Sequence, residues 1–492
     1  MRNALLYWSI CVLAVTFCSM IVSSSAELIN VPVRNPDKVY TIGSEFSLPL
    51  GMRRMAISQD GRYVAIQFVD GNKGKFFLRL YDIESNREVW TAEVEEELYG
   101  LQMTDDGSLI AGITDDDVLY VFKKDDAKPY LKKQLCCMTV PPYISMSRNG
   151  KYLVVGNYIK KKGGTEYILV MDLDKREVVN LLRTDSSFIH LSKDGKTLMS
   201  YSEHGDYQGM EVRRIPEGEV MRQFLKGWEP SGKWDAIASD DNRRLLLKHG
   251  EPIKKSPWYD HKIHMYDSSS GSILWTYDAE NSPYMAMSSN GKVIAVGEED
   301  KLLMLKGDDG SRLGTIDFTA LGWREGLFRM EIDDEGKLIA LVPGKEGSSL
   351  FSHLYLLDVA SGKLLWRSKE HFLCPAVALS GDGSTLALAF KELGGPLYLN
   401  IYRNLQVQRP YTKTTQSLIT KITRSSREIT QKTSQGIMTK ETVKSVEKTA
   451  EKEGIEMGSI LIFALTAVIT AIIIITSYML ITRFRAPPPP PP

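Results

Sequence analysis

The sequence predicts an all-β fold, an eight-bladed β-propeller closed by an N-terminal strand, with a C-terminal transmembrane helix after it. Three observations predict this architecture: a strand-turn-strand segment that occurs eight times, a strand-like segment near the N-terminus, and one long apolar run near the C-terminus. The 492 residues include 61 basic and 61 acidic side chains, so no overall charge attracts nucleic acid.

The repeated segment consists of an apolar strand, a polar turn and a second apolar strand. The first copy reads AISQDGRYVAI and the last reads ALSGDGSTLAL, and successive turns are 43 to 49 residues apart. A period of this length, filled with short strands, is typical of propeller blades. Glycine and asparagine suit these hairpin turns because they accept a positive φ at low cost. They are Gly61, Gly107, Gly150, Gly195, Asn242, Gly291, Gly336 and Gly383.

A third and a fourth strand follow each copy except the last. In three copies an Asp precedes a Trp by eight residues: Asp82 and Trp90, Asp267 and Trp275, Asp358 and Trp366. This spacing predicts a tight turn that lets the fourth-strand Trp pack against the neighbouring blade. Over residues 37–410 the pattern resembles the repeats of quinoprotein (PQQ)-like and WD40-like β-propellers. The resemblance implies the fold and leaves the activity open.

The eighth copy has three strands, the last of which ends near Gln406, and no fourth strand follows. Near the N-terminus, KVYTIGSEF (residues 38–46) has the fourth-strand pattern, with Tyr40 in the position of the Trp. We therefore expect this segment to complete the last blade and to close the ring. Closure leaves no free sheet edge between the first and last blades.

Residues 1–26 have the features of a signal peptide. An apolar run at residues 4–22 follows Arg2, and Ser24 and Ala26 are the small residues that precede a cleavage site. We expect cleavage after Ala26. The alternative is an uncleaved membrane anchor, because the run is long for a signal core. Both interpretations export the chain that follows.

Residues 459–482 form an uncharged apolar run of 24 residues. As a helix it would be about 36 Å long, enough to cross the hydrocarbon layer of about 30 Å. Arg483 and Arg485 follow, so the positive-inside rule places residues 483–492 in the cytoplasm and the propeller outside the cell membrane. Residues 411–457, rich in Ser, Thr and Lys, form the expected stalk between the propeller and the membrane.

Residues with catalytic or metal-binding chemistry are few. Some quinoprotein dehydrogenases, which the repeats resemble, carry adjacent cysteines at the cofactor, and this chain has Cys136 and Cys137. The plainer interpretation is two small apolar residues at a strand end. His261 and His264 are three residues apart in a strand-like segment, so their side chains should point to opposite faces. We expect no cofactor, no bound metal and no catalysis.

The loops between second and third strands, and between each fourth strand and the next blade, open on one face of a propeller. Several of them are long here and carry aromatic residues beside Lys and Arg, the composition of a recognition surface. The alternative is that some of these rings pack beneath the loops. The predicted ligand-binding residues are Trp228, Trp234, Trp258, Tyr259 and Trp323.

The chain ends in six prolines, which favour a polyproline II helix, the ligand shape for the grooves of SH3-like, WW-like or profilin-like proteins. They are Pro487, Pro488, Pro489, Pro490, Pro491 and Pro492. The sequence thus predicts a membrane-anchored propeller that binds an extracellular protein or glycan and links it to a cytoplasmic polyproline-binding partner. The alternatives are a membrane-tethered quinoprotein-like oxidoreductase and a scaffold for assembly of a membrane complex.

Overall fold

The computed structural model describes residues 31–405, with gaps inside this range. The gaps are residues 50–54, 115, 136–142, 160–165, 184–187, 203–207, 228–233, 253–258, 280–282, 319–326, 344–352, 370–372 and 393. The described part of the chain contains strands and turns, and none of it is a helix able to span a membrane. The predicted signal peptide, stalk, transmembrane helix and proline tail lie outside the described residues.

The strands form eight sheets, one for each copy of the repeat. The N-terminal strands are β1 (Val33–Arg34), β2 (Lys38–Gly43) and β3 (Phe46–Ser47). Blade 1 contains β4 (Met55–Ile57), β5 (Tyr63–Asp70), β6 (Lys75–Asp82) and β7 (Arg87–Val94). Blade 2 contains β8 (Leu98–Met103), β9 (Leu109–Thr114), β10 (Val118–Lys123) and β11 (Asp126–Gln134). Blade 3 contains β12 (Ile144–Met146), β13 (Tyr152–Ile159), β14 (Glu166–Asp172) and β15 (Glu177–Arg183).

The second half of the ring has the same antiparallel order. Blade 4 contains β16 (Ile189–Leu191), β17 (Thr197–Ser202), β18 (Gly209–Arg214) and β19 (Val220–Phe224). Blade 5 contains β20 (Trp234–Ala238), β21 (Arg244–Pro252), β22 (Tyr259–Asp267) and β23 (Ser272–Ala279). Blade 6 contains β24 (Tyr284–Met287), β25 (Val293–Gly297), β26 (Lys301–Lys306) and β27 (Arg312–Asp317). Blade 7 contains β28 (Leu327–Ile332), β29 (Leu338–Pro343), β30 (Tyr355–Asp358) and β31 (Lys363–Ser368). Blade 8 contains β32 (Leu373–Leu379), β33 (Thr385–Lys391) and β34 (Leu397–Arg403).

The core consists of eight clusters of buried apolar side chains, and each cluster lies between two neighbouring blades. Between blades 4 and 5, for example, Tyr201 and Met210 pack against Leu245 and Leu247. The cluster between blades 8 and 1 closes the circle. Apolar burial therefore stabilises every blade interface, and no blade is covered on one face only.

The repeated turn between the first and second strands is illustrated by the first copy. The Ser58 hydroxyl donates to Asp60 Oδ1 at 2.7 Å and accepts from the Tyr63 N–H at 2.9 Å. Gly61 has a φ of +69°, and a Cβ atom there would lie 2.3 Å from the Thr385 side chain of blade 8. Both the turn and the packing of the neighbouring blade therefore require glycine at this position.

Blade 7 departs from this turn, because Asp333 stands where the other copies have Ser or Thr. Its Oδ1 accepts from the N–H groups of Lys337 at 2.6 Å and Leu338 at 3.1 Å. Burial raises the pKa of Asp333, although these N–H groups favour the ionised form. The Asp333 carboxylate thus accepts the hydrogen bonds that a Ser or Thr hydroxyl accepts in the other turns. Its burial removes part of its solvation by water.

Backbone hydrogen bonds join the eight turns into a closed circle, which we call the turn ring. In each bond, an N–H of one turn donates to a carbonyl of the next, over distances of 2.7 to 3.3 Å. The donor and acceptor pairs are Gln59 and Asp105, Asp105 and Arg148, Arg148 and Lys193, Lys193 and Asp240, Asp240 and Ser289, Asn290 and Asp334, Asp334 and Gly381, and Asp382 and Gln59. The turn ring confirms the predicted count of eight blades.

The predicted closure by an N-terminal strand is confirmed. Strand β2 pairs antiparallel with β34, with Lys38 opposite Ile401, and serves as the fourth strand of blade 8. Tyr40 lies 4.5 Å from Tyr81 of blade 1, centroid to centroid. The predicted end of the segment was wrong, because the strand stops at Gly43 and β3 pairs with β5 in blade 1. Phe46 turns inwards there and packs on Phe68.

Strand β1 is an element that the sequence pattern did not predict. It pairs parallel with β31 and adds a fifth strand to blade 7. Arg34 lies 5.3 Å above the Trp366 ring of blade 7 and donates to the Arg403 carbonyl of blade 8. The N-terminal segment therefore fastens two blades rather than one.

The predicted role of the fourth-strand tryptophans is confirmed. Trp90 donates to the Lys124 carbonyl of blade 2 at 3.0 Å, and Trp275 donates to the Gly307 carbonyl of blade 6 at 2.9 Å. Trp366 stacks on Tyr402 of blade 8 at 5.0 Å. Each indole thus links its own blade to the next.

Two substitutions in β2 test how much the closing strand contributes to stability. Ile42 is 7% exposed and packs in the cluster between blades 8 and 1, whereas Val39 is 53% exposed. Ile42→Asp buries an unpaired carboxylate and should lower the free energy of unfolding by about 3 kcal/mol or more. Val39→Asp, the matched control, should change it by less than about 1 kcal/mol. Urea unfolding measures both; equal effects would show that the strand does not close the ring.

Candidate binding site at the mouth of the channel

The first strands of neighbouring blades lie side by side around a central channel. The turn ring surrounds one end of the channel, on what we call the hairpin face. The first strands begin at the other end, on what we call the loop face. The two ends differ in chemistry, because the hairpin face is charged and the loop face is aromatic.

Arg148 closes the channel at the hairpin face. Its guanidinium lies 3.3 Å from Asp105 of blade 2, 3.2 Å from Asp240 of blade 5 and 2.9 Å from Asp334 of blade 7. It also donates to Gln59 Oε1 of blade 1 and to Ser289 Oγ of blade 6, both at 2.8 Å. One side chain from blade 3 therefore bridges five other blades, and we call this group the channel floor.

The pKa shifts of the residues in the channel floor show that their charges interact. Burial would lower the pKa of Arg148, but the charges of Asp240 and Asp334 raise it instead. Burial also raises the pKa of Asp240 against the opposing charge of Arg148. For Asp334, Arg148 and the hydrogen bonds from Ser289 and Gln59 overcome the effect of burial and lower the pKa. The floor thus depends on one cation that always remains charged.

An open depression of about 960 Å³ lies beside the floor, over the turns of blades 2 to 5. Its exposed basic side chains are already paired with acids: Lys193 with Asp105 at 3.1 Å, Lys196 with Asp194 at 3.2 Å and Arg243 with Asp241 at 3.6 Å. Opposite charges therefore offset each other across this surface, and it favours neither an anionic nor a cationic ligand.

Four consecutive blades begin at the loop face with an aromatic side chain, and we call these four residues the aromatic collar. Tyr143 of blade 3 is 44% exposed and Tyr284 of blade 6 is 39% exposed. Phe188 of blade 4 and Trp234 of blade 5 are half-buried and pack on the cluster between their blades. Large aromatic surfaces that remain accessible at a channel mouth are typical of binding sites.

The collar also has a charged neighbour. Asp235 is exposed at the start of β20. Burial raises the pKa of Tyr143, and the charge of Asp235, two blades away, raises it further. The Tyr143 hydroxyl therefore lies within the electrostatic influence of Asp235. Asp235, rather than Trp234, stands four residues before the first turn residue of blade 5, where blades 3, 4 and 6 have their collar residues. The same position is Gly100 in blade 2, Arg329 in blade 7 and Ala376 in blade 8.

Two of the five predicted ligand-binding residues lie in the described part of the chain. Trp234 lies in the collar, with its ring 5.3 Å from Tyr201 in an edge-on contact, so it is partly a packing residue. Tyr259 begins β22. Trp228, Trp258 and Trp323 lie outside the described residues. Whether any of the five binds a ligand stays a prediction.

Sequence reasoning missed three members of the collar: Tyr143, Phe188 and Tyr284. A signal for them exists, because each precedes the first Ser of its repeated turn by four residues. Their rings belong to strands rather than to long loops. A search that compared the same position in all eight copies would have found them.

The structure describes two of the four residues that the sequence offered for catalysis or metal binding. His261 and His264 both lie in β22, where His261 is buried and His264 is half-buried. Cys136 and Cys137 lie outside the described residues. Among the residues described, no three His, Cys, Asp or Glu side chains form a group that could hold a metal ion.

Known structures with the same architecture identify the fold. The chain is similar to Chaetomium thermophilum Sqt1 bound to the N-terminus of the ribosomal protein L10, with a TM-score of 0.52 and 12% identity over 75% of this chain and 99% of that one. It is also similar to the Dos1 propeller, with a TM-score of 0.51 and 10% identity over 76% of this chain and 95% of that one. The fold is a WD40-like β-propeller with eight blades. No protein family matches the sequence, and no curated protein matches it.

The channel floor gives a test of pH dependence. Arg148→Met removes the cation that Asp105, Asp240 and Asp334 share, although Lys193 still pairs with Asp105, and it should cost about 3 kcal/mol of stability at pH 7. In the wild-type protein the stabilisation by Asp334 is lost as the pH falls through its lowered pKa. In the variant the carboxylates repel and bind protons more tightly when folded, so its stability should rise as the pH falls from 7 towards about 5.

Lys193→Met is the matched control for Arg148→Met. Lys193 pairs with Asp105 from a side chain that is 47% exposed, so its loss should cost less than about 1 kcal/mol. Urea midpoints measured across the pH range compare the three proteins. An Arg148→Met variant whose stability falls with pH as that of the wild type does would show that the floor carboxylates are not coupled.

Proposed function

We propose that this chain is a membrane-anchored, extracytoplasmic β-propeller that binds a protein ligand at the aromatic collar and has no catalytic activity of its own. The observation that supports this proposal best is the contrast between the two ends of the channel. Arg148 and its partners occupy the hairpin end, whereas Tyr143 and Tyr284 leave large aromatic surfaces accessible at the loop end.

The collar has the properties of a binding surface for a protein. Aromatic rings contribute large contact areas at a small cost in side-chain entropy, and they are enriched among the residues that dominate binding energy. The four rings lie on one rigid ring of blades, so their positions are set before a ligand arrives. Sqt1, which shares the fold, is bound in its structure to the N-terminus of a ribosomal protein, and this is consistent with a propeller of this kind binding protein.

The proposed membrane anchoring and orientation of the propeller rest on the sequence alone. The signal peptide and the positive-inside rule give one topology independently, with the propeller outside and the proline tail in the cytoplasm. A ligand outside would then be connected, through a stalk and one helix, to a polyproline-binding protein inside. A glycan is the second candidate ligand, and enzymatic deglycosylation of the bound material distinguishes it from a protein.

Experiments can distinguish the proposed binding function from two alternatives, an oxidoreductase and a scaffold for a membrane complex. A quinoprotein-like oxidoreductase would bind a quinone cofactor, so titration with pyrroloquinoline quinone and an absorbance readout tests it directly. A scaffold for a membrane complex would bind its partner through any part of the ring. Pull-down with variants of the collar separates such a scaffold from a collar-dependent binding protein.

The collar is tested by truncating its two most exposed rings. Tyr143→Ala combined with Tyr284→Ala should weaken capture of the ligand at least about tenfold, because a binding hot spot contributes about 2 kcal/mol. The melting temperature should change little, since both side chains lie at the surface, 44% and 39% exposed. Leu313→Ala on the outer rim, 40% exposed, is the matched control and should bind normally. Unchanged capture by the collar variant would refute the site.

The topology is tested in intact cells that carry the protein with a tag after Pro492. Added protease should degrade the propeller and leave the tag intact, because the bilayer protects the cytoplasmic tail. Permeabilised cells are the control, in which the tag should be lost as well. Loss of the tag in intact cells would contradict the proposed orientation.

A further inference from the structure

Two histidines lie next to the collar and face each other. His249 of β21 and His264 of β22 have their Nε2 atoms 3.0 Å apart. Their ring centroids are 5.1 Å apart and their planes differ by 15°. The centroid separation exceeds the nitrogen separation by about 2 Å, so the two rings meet nearly head-on, nitrogen to nitrogen.

This geometry suits a proton rather than a metal ion. A nitrogen separation of 3.0 Å is the length of an N–H···N hydrogen bond, in which one imidazole donates and the other accepts. Zinc ligands lie about 2.0 to 2.1 Å from the metal, so a metal between two head-on nitrogens would hold them about 4 Å apart. The pair therefore has room for one hydrogen between its two nitrogens.

A second interaction orients the pair. Nδ1 of His264 lies 2.8 Å from the Thr276 hydroxyl of β23, and this hydroxyl can donate or accept. The bond survives when His264 gains a proton, because Nδ1–H then donates to Thr276 while Nε2–H donates to His249. One added proton thus leaves both hydrogen bonds in place. A second added proton sets two N–H groups against each other across 3.0 Å and breaks the pair.

The charges around the pair come from strands on both sides. Strand register places Lys262 opposite His249 and Asp278 opposite Lys262, on the sheet face that carries the histidines. Their opposite charges offset each other. The same two strands continue with Glu251 opposite Asp260, two residues along from His249 and Lys262. Tyr266 of β22 lies 6.0 Å from His264, ring to ring, and Tyr201 of blade 4 belongs to the same cluster. Of these groups, the two histidines are the ones whose ordinary pKa lies in weakly acidic solution.

The pair supports one member of the collar. Trp234 is directly opposite His249 in the antiparallel register of β20 and β21, so their side chains are neighbours on one face. The other side of the indole contacts Tyr201. A shift of His249 therefore removes a cross-strand neighbour of Trp234 at the mouth of the channel.

We propose that the His249–His264 pair is a proton-controlled support for the aromatic collar. The pair holds Trp234 in place while it carries at most one extra proton, and it releases Trp234 when both imidazoles are protonated. Acidification would then release the ligand of the collar, and this last step depends on the function proposed above. The support itself requires no ligand and is tested without one.

The first test is a titration of the full-length protein, followed by NMR of the histidine rings. Coupled sites take up protons in separate steps, so the pair should show two midpoints more than about one pH unit apart. His264→Gln should leave a single step for His249. His261→Gln, three residues away in the same strand, is the matched control and should leave both steps unchanged. Two independent midpoints near the ordinary histidine value of about 6.5 would refute the pair.

The second test follows Trp234 by its fluorescence, taken as the difference between the parent protein and its Trp234→Phe variant, with acrylamide as the quencher. Quenching should rise at least about twofold below the lower midpoint in the wild type, as the indole becomes exposed. It should stay constant with pH in His264→Gln and, should that variant not fold, in His249→Gln. Two separate proton steps without a change in quenching would refute the coupling to the collar.

The two proposals fail in different ways. A protein whose histidines titrate in two steps but whose collar variant still captures its ligand would keep the proton-controlled support and lose the proposed binding site. A protein whose collar variant loses its ligand, but whose capture is unchanged across the lower midpoint, would keep the binding site and lose the acid release. Capture assays at pH 7 and below the lower midpoint, with wild type and His264→Gln, decide between these results.

Discussion

The hydrogen-bonded turn ring is the constraint on which the rest of the molecule depends. Each of the eight turns donates to the next, so these bonds set the position of every blade relative to its two neighbours. The first side chain of each turn, a Ser, Thr or Asp, accepts from an N–H group of its own blade, which leaves the backbone of the following residues available to the neighbouring blade. Local turn chemistry and global closure are therefore satisfied by the same short segment, and eight apolar clusters stabilise the interfaces behind it.

That division of roles frees the side chain of the second turn residue. This residue is Gln59 in blade 1, Asp105 in blade 2, Arg148 in blade 3 and a glycine in blade 8, and the ring of turns brings all eight positions to one end of the channel. A single Arg among three carboxylates is an expensive group to bury, and such charges rarely add stability over apolar packing. Its effect here is to link the turns of six blades across one end of the channel.

Much of this fold could be predicted because it repeats. The turn glycines, the period and the missing fourth strand of the last copy identify eight blades and the closing strand, since each is visible as a pattern or as a gap in one. Strand β1 is two residues long and has no pattern, so only the structure shows that Val33 and Arg34 pair with blade 7. The floor and three of the four collar residues escaped prediction for a different reason. They depend on positions that vary between copies, and the meaning of Arg148 or Phe188 appears only when eight copies are placed around one axis.

The collar residues belong to four neighbouring blades and not to the whole ring. This arrangement indicates where a local change would affect the collar most. Aromatic rings begin blades 3 to 6, whereas the position four residues before the first turn residue is Gly100 in blade 2, Arg329 in blade 7 and Ala376 in blade 8, so the aromatic surface forms one arc of the ring. The interface between blades 4 and 5 lies in the middle of that arc. A packed ring of blades does not deform continuously, so a change at this interface moves individual side chains rather than the whole mouth. Trp234 is the collar residue with His249 beside it, and a rearrangement there alters the centre of the contact while the turn ring keeps the blades in place.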